Sequence, residues 1–339
     1  MINEELTKAL LVGDCFSDII GQDGTKEQLK SALLAERNVI IIGPPGIGKT
    51  TLAKNVAKLL PDATVNSCGF NCLPSRPMCP NCLAGTKAGK KKSIGTDRFV
   101  RVQGSPDLTA EDLLGDIDPV KALKFGPASL EAFTPGKIFR ANNGVLFFDE
   151  LNRCPQRLQN SLLQVLEEGK VTLGNYTVDI ATEFIFIGTM NPQDSSTEKL
   201  SDVFLDRFDL IYMTYPESYN IEEEIVLDKG KKVSGVEFPK QLLAFAVSFV
   251  RALRENKKLE KLPSVRASLG LYERAQTNAL IRGHKQVQHE DVKDAVMSVL
   301  AHRIKLKPSA RYVITPEEFI KEELEDFAQQ NSTPKGDGR

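Results

Sequence analysis

Residues 43–50, Gly43-Pro44-Pro45-Gly46-Ile47-Gly48-Lys49-Thr50, match the phosphate-loop pattern G-x-x-x-x-G-K-[ST] at every fixed position. The glycines let backbone N–H groups turn inward around phosphate oxygens, and the following helix offers its positive end to the same anion. Lys49 reaches the β- and γ-phosphates, the Thr50 hydroxyl ligates Mg²⁺, and Thr51 completes the cradle. The expected ligand is therefore ATP with Mg²⁺. Further on, the apolar run Val145-Leu146-Phe147-Phe148 ends in Asp149-Glu150. At the carboxyl end of a parallel strand both acids face the ligand side of a sheet. Asp149 is placed to hold Mg²⁺ through water, and Glu150 to polarise an attacking water. Together these residues describe hydrolysis of a nucleotide.

A second chemistry lies in Cys68-x₃-Cys72-x₆-Cys79-x₂-Cys82. Four thiolates suit the tetrahedral preference of structural Zn²⁺, and Cys79-Pro80-Asn81-Cys82 resembles a zinc-knuckle turn. An Fe–S cluster is the rival metal, and a loop of free thiols the metal-free alternative. Cys15 and Cys154 stand apart from the cluster, and His284, His289 and His302 have no cysteine partners nearby in sequence. Lys87, Lys90, Lys91 and Lys92 follow the cluster and read first as a solvated basic loop, secondarily as a contact for nucleic acid or an acidic partner.

These residues need a scaffold. Val39-Ile40-Ile41-Ile42, just before the glycine turn, is a β-branched run typical of a buried parallel strand. Phe99–Val102, Val145–Phe148 and Phe184–Ile187 read the same way. Helical spacing occurs at Leu29, Leu33 and Leu34, from Thr51 to a stop at Pro61, and over 155–168 between Pro155 and Gly169; residues 1–17 suggest a leader helix. Strands alternating with helices predict an α/β fold with a parallel sheet covered on both faces. Residues 61–98 look irregular, and 171–178 reads as a β-hairpin turning at Gly174-Asn175. Beyond about Pro216 only helical periods remain, near 219–230, 239–256, 264–282, 289–304 and 316–328, which predicts an all-helical second domain; polar residues 329–339 read as a disordered tail.

In this order the motifs resemble an AAA+ ATPase of the magnesium-chelatase-I/MoxR branch, over roughly residues 14–310. Asp18-Ile19-Ile20-Gly21-Gln22 resembles the segment beside the adenine. Gly188-Thr189-Met190-Asn191-Pro192 resembles sensor 1, which puts Asn191 near the γ-phosphate and the water. Leu205-Asp206-Arg207-Phe208 resembles the arginine-finger motif, which sends Arg207 into a neighbouring subunit's site. Pro263-Ser264-Val265-Arg266-Ala267 resembles sensor 2, with Arg266 on the nucleotide. Arg153 is a further candidate for an intersubunit contact. The resemblance implies an AAA+ αβα nucleotide-binding domain over 1–217, with a Cys₄ loop at 66–84, a helix-2 insert at 108–133 and a β-hairpin insert, then a helical lid over 218–328. The stretch 108–133, with Gly115-Asp116-Ile117-Asp118 and Lys121-Ala122-Leu123, resembles the chelatase insert, whereas Asp149–Arg153 and Leu166–Thr172 look closer to MoxR.

The implied activity is that of a homo-oligomeric motor, a hexameric ring, that hydrolyses ATP and remodels a partner protein. The alternative is the motor subunit of a magnesium or cobalt chelatase. The partner is then expected to be a separate protein, such as one with a von Willebrand-type metal-site domain. A nucleic-acid-engaging role is the least favoured, because a net charge of −1 creates no global field for a polyanion. No apolar run reaches 18 residues, so no ordinary membrane-spanning helix is expected. The acidic Met1-Ile2-Asn3-Glu4-Glu5 has no signal-peptide core, and cytoplasmic residence is expected.

Overall fold

The computed structural model describes residues 4–86, 88–127, 129–173, 178–192 and 200–332. Helices α1 (Glu4–Leu11) and α2 (Asp23–Leu34) precede β1 (Val39–Ile42), all four residues of which are buried. The glycine turn leads into α3 (Lys49–Lys58). Strands β2 (Ala63–Asn66) and β3 (Lys90–Ser93) pair antiparallel, with the single turn α4 (Pro80–Leu83) between them. After β4 (Phe99–Gln103) comes an insert of α5 (Ala110–Leu114), β5 (Gly115–Ile117), α6 (Pro119–Phe125) and β6 (Phe133–Pro135), closed by antiparallel pairing of β5 with β6. Then follow α7 (Lys137–Arg140), β7 (Val145–Asp149) and α8 (Gln156–Glu168), which ends at Gly169 with φ 61°. The hairpin β8 (Lys170–Leu173) and β9 (Val178–Ala181), then β10 (Ile185–Met190), α9 (Asp202–Leu205) and β11 (Asp209–Tyr212), complete this region.

The main sheet runs β11-β1-β10-β7-β4, and every pairing in it is parallel. Period-2 alternation sends Ile40, Ile42, Leu146, Phe148 and Phe186 into one core with Leu158, Leu162 and Val165 of α8. On the other face α3 packs on β7 and β10, and α2 on β11. Burial on both faces is why these strands read as continuous apolar runs.

Two compact units divide the chain: Met1–Gly43 with Gly48–Met213, and Pro44–Ile47 with Thr214–Arg339. The second contains α10 (Tyr219–Lys229), α11 (Lys240–Glu255), β12 (Leu259–Lys261), α12 (Val265–Ile281), α13 (His289–Leu300), β13 (Lys305–Leu306), α14 (Pro308–Arg311) and α15 (Pro316–Ser332). Its core joins Val250 and Leu253 of α11, Leu271 and Ala275 of α12, Val296 of α13 and Phe319 of α15.

The structure departs from the sequence expectations in four places. Residues 61–98 are not irregular throughout, since they contain the β2–β3 ribbon and α4. Lysine-rich β3 exposes Lys90, Lys91 and Lys92, so it lacks the apolar pattern by which strands are read. Strand β11 was unexpected; it forms a sheet edge and fully buries only Ile211. The second unit is not all helical, because β12 and β13 pair antiparallel in a ribbon too short for a periodic signal. Residues 329–332 of the expected disordered tail continue α15, since extending an existing helix costs far less than starting one. Residues 333–339, the expected hairpin turn and Lys87 lie outside the described residues.

Candidate functional site

Sheet register brings most of the expected site together. Ile42, the last residue of β1, pairs with Met190, and Gly43 N–H donates to the Met190 carbonyl at 3.1 Å. Gln103 pairs with Asp149. The carboxyl ends of β1, β10, β7 and β4 therefore place Gly43, Asn191, Asp149 and Glu150 along one edge. Gly48 has φ 103° and Gly46 φ 76°, a region that residues with a side chain rarely adopt. Lys49 starts α3, with Thr50 and Thr51 in its first turn, and the Lys49 ammonium donates to the Gly43 carbonyl at 2.6 Å. A side chain on Gly48 would meet Ile19 at 3.1 Å, so the segment expected beside the adenine packs directly on the loop.

The acidic pair is held by a network. The Thr189 hydroxyl donates to Asp149 Oδ1 at 2.7 Å and accepts the Glu150 N–H at 3.0 Å. Arg101 contacts Asp149 Oδ2 at 2.5 Å. Gln103 Nε2 donates to Glu150 Oε2 at 2.9 Å, and Arg153 Nη1 lies 3.0 Å from the same oxygen. Glu150 itself has φ 56°, an uncommon conformation for a non-glycine residue. Gly104 makes room for it: its N–H donates to the Asp149 carbonyl at 2.7 Å, and a Cβ there would lie 2.1 Å from the Glu150 carbonyl oxygen. The Asn191 carbonyl accepts from Asn152 Nδ2 at 3.4 Å, which ties the end of β10 to the turn after β7.

The two other arginines differ in place. Arg207 precedes β11, whose first residue Asp209 pairs with Val39, the first residue of β1. It contacts Glu167 near the end of α8 and the Val203 carbonyl. It thus sits at the amino-terminal edge of the sheet, the full length of a four-residue strand, roughly 13 Å, from its own chain's Gly43 edge. In the second unit, Arg266 occupies the first turn of α12 beside Gly46; a Cβ on Gly46 would meet Ser264 Oγ at 2.7 Å and the Arg266 side chain at 3.1 Å. Burial, followed by repulsion from Arg266, holds the Arg303 guanidinium below its ordinary pKa. Sequence reading missed Arg101, Gln103 and Arg303 and gave Thr189 no role. Arg101 and Gln103 are two residues apart on β4 and so share one exposed face of the strand.

Three family models match in chain order. The magnesium chelatase subunit ChlI model covers residues 15–69, the ATPase family associated with various cellular activities model covers 79–210, and the AAA lid domain model covers 252–323. A magnesium-chelatase subunit ChlI homologue of Methanocaldococcus jannaschii is 29% identical over 358 residues, spanning 94% of this chain and 92% of the relative. The chaperone MoxR1 of Mycobacterium tuberculosis is 26% identical, spanning 94% and 81%. Together these matches support the AAA+ family, in its ChlI/MoxR branch. A solved Thermotoga maritima RuvB mutant shares the fold with TM-score 0.50 at 19% identity, covering 84% of this chain and 72% of that one.

The cysteine loop lies where the first two family matches meet. The sulfurs of Cys68, Cys72, Cys79 and Cys82 all fall within 4.8 Å of one another, a grouping that can hold a metal ion. Backbone N–H groups of Met78 and Cys79 donate to Cys72 Sγ at 3.3 Å, and Asn66 Nδ2 to Cys82 Sγ at 3.4 Å. Such donors stabilise thiolates. Hydrogen bonds from Cys72 and then Cys79 push the Cys68 thiol far below its ordinary pKa, and the same contacts push Cys72 and Cys79 up. Cys15 and Cys154 lie outside this group. Among the described residues no helix is long and apolar enough to cross a membrane.

Proposed function

We propose that this AAA+ chain is an ATP-hydrolysing subunit of a ring, hexameric in the family manner, that works on a partner protein in the cytoplasm. One observation carries the reading: the glycine turn with Lys49, the Asp149–Glu150 pair and Asn191 share one sheet edge. The loop N–H groups, Lys49 and Arg266 bind the phosphates. Thr50 and Asp149 hold Mg²⁺, which neutralises phosphate charge when bound. Glu150 orients the attacking water, and Asn191 hydrogen-bonds it. Arg207, remote from its own site, reaches the site of the next subunit and stabilises charge on the transferring phosphoryl group.

The likeness to MoxR1 over 94% of the chain supports remodelling of a partner protein. The ChlI model match and the archaeal ChlI homologue favour a second reading, in which the chain drives a magnesium or cobalt chelatase. Co-purification with a chelatase large subunit selects the second reading. Co-purification with a von Willebrand-type adaptor alone selects the first. For hydrolysis itself, Glu150→Gln is expected to keep ATP binding and lose turnover, and normal hydrolysis by that variant rejects the assignment. We further assign structural Zn²⁺ to the four cysteines. Tetrahedral Zn–S bonds of about 2.3 Å require sulfurs about 3.8 Å apart, close to the observed grouping. Elemental analysis of purified protein should give one zinc per chain.

A further inference from the structure

The cysteine loop is keyed to the insert. Phe70 stands between ligand candidates Cys68 and Cys72 and is 8% exposed. Its ring lies 6.4 Å from Phe133 of β6 and 5.1 Å from Phe139 of α7, and those two rings meet edge-on at 6.0 Å. Gly69, at φ 81°, approaches so closely that a Cβ there would lie 3.0 Å from Pro135 of β6. Side chains just ahead of β7 hold the loop backbone: Asn142 Nδ2 donates to the Phe70 carbonyl at 3.1 Å, and Asn143 Nδ2 to the Asn71 carbonyl at 2.9 Å. The contact walls a cavity of about 660 Å³, with Cys68, Gly69 and Phe70 on one side and Phe133, Thr134 and Pro135 on the other. Outward from this base the insert carries little of its own core. On α6, Val120 is 77% and Leu123 91% exposed.

We infer that a metal held by the four cysteines fixes the insert, with Phe70 as the positioning residue that transmits its occupancy to β5, β6 and α6. A loop of fifteen residues from Cys68 to Cys82 has little backbone pairing of its own, so cross-linking its four thiols through one ion is what holds Phe70 against β6. Removing the ion frees the loop, and the insert then loses the aromatic base on which it rests. Coupling of this kind is reciprocal: damage to the insert side must weaken metal binding by the same factor. The inference rests on the reading that the thiols bind a metal, and the test separates the two.

The full-length protein is stripped with a chelator under reducing conditions and titrated with Zn²⁺ alone, and hydrogen exchange is followed by mass spectrometry. The expected result is uptake of one Zn²⁺ per chain, with exchange over residues 108–136 at least tenfold slower in the zinc form and exchange at β1 and β10 unchanged. Phe133→Ala, on the insert side and outside the nucleotide site, should raise insert exchange and weaken Zn²⁺ affinity together. No Zn²⁺ uptake rejects the metal reading and the inference with it. Stoichiometric uptake with unchanged insert exchange overturns the inference alone, as does a uniform loss of protection that includes β1 and β10. A Phe133→Ala chain with full protection and full affinity overturns it independently.

Discussion

Thr189 cannot act as an acid or base near neutral pH, yet its hydroxyl binds both halves of the acidic pair. It fixes Asp149 by donating its proton to the carboxylate and the Glu150 backbone by accepting the N–H. Thr189→Val keeps the shape and removes both bonds. The expected outcome is a fall in kcat of about 10- to 100-fold with KM for ATP changed little, because a displaced water-orienting group damages the transition state more than nucleotide binding. Steady-state kinetics checks this, and an unchanged kcat rejects the role. Spacing made Lys49, Asp149 and Glu150 legible, since each belongs to a short local pattern beside a strand. Arg101, Gln103 and Arg303 were not legible, because their contacts cross to distant parts of the chain or to a neighbouring strand.

At the scale of elements, the strands that are buried on both faces announced themselves, and those with mixed surroundings did not. β1 and β7 are nearly pure apolar runs, whereas β11 and β3 are half or wholly polar. In the second unit three helices meet at a buried carboxylate. Glu222 of α10 is fully buried, takes a two-pronged contact from Arg254 of α11 at 2.6 and 2.7 Å, and accepts from Ser268 of α12 at 2.5 Å. Arg254 also donates to the Pro263 carbonyl at 2.8 Å, just ahead of the turn that carries Arg266. Glu222→Ala leaves a buried guanidinium without its counter-ion and is expected to cost on the order of 3 kcal/mol, read as a lowered Tm or denaturant midpoint. Asp291 caps α13 through the Gln288 N–H at 2.9 Å. Burial alone would raise its pKa; bonds from Gln288, His284 and Arg282 outweigh that and hold the carboxyl below its ordinary value. A depressed folded-state pKa stabilises the fold above the unfolded value near pH 4, and the gain is lost as pH falls through the folded value. Asp291→Asn should therefore be less stable than the parent at pH 7, with the difference shrinking below about pH 4 in acid denaturation series.

For the whole molecule, the position of Arg207 matters most. On the proposed function, a subunit that presents its phosphate loop on one sheet edge and Arg207 on the other would carry both halves of a catalytic interface, not facing each other. Mixing Arg207→Ala with Lys49→Ala chains, each inactive alone, should restore part of the hydrolysis, because some interfaces then combine an intact loop with an intact arginine. Mixtures as inactive as the separate variants reject action in trans. Action of Arg207 in trans, as proposed, would give the rate law an unusual form. Specific activity should climb with protein concentration and level off only once neighbours are engaged, so a diluted sample loses turnover without losing its fold. Abundance in the cell would then set how fast each copy works as well as how many copies are working.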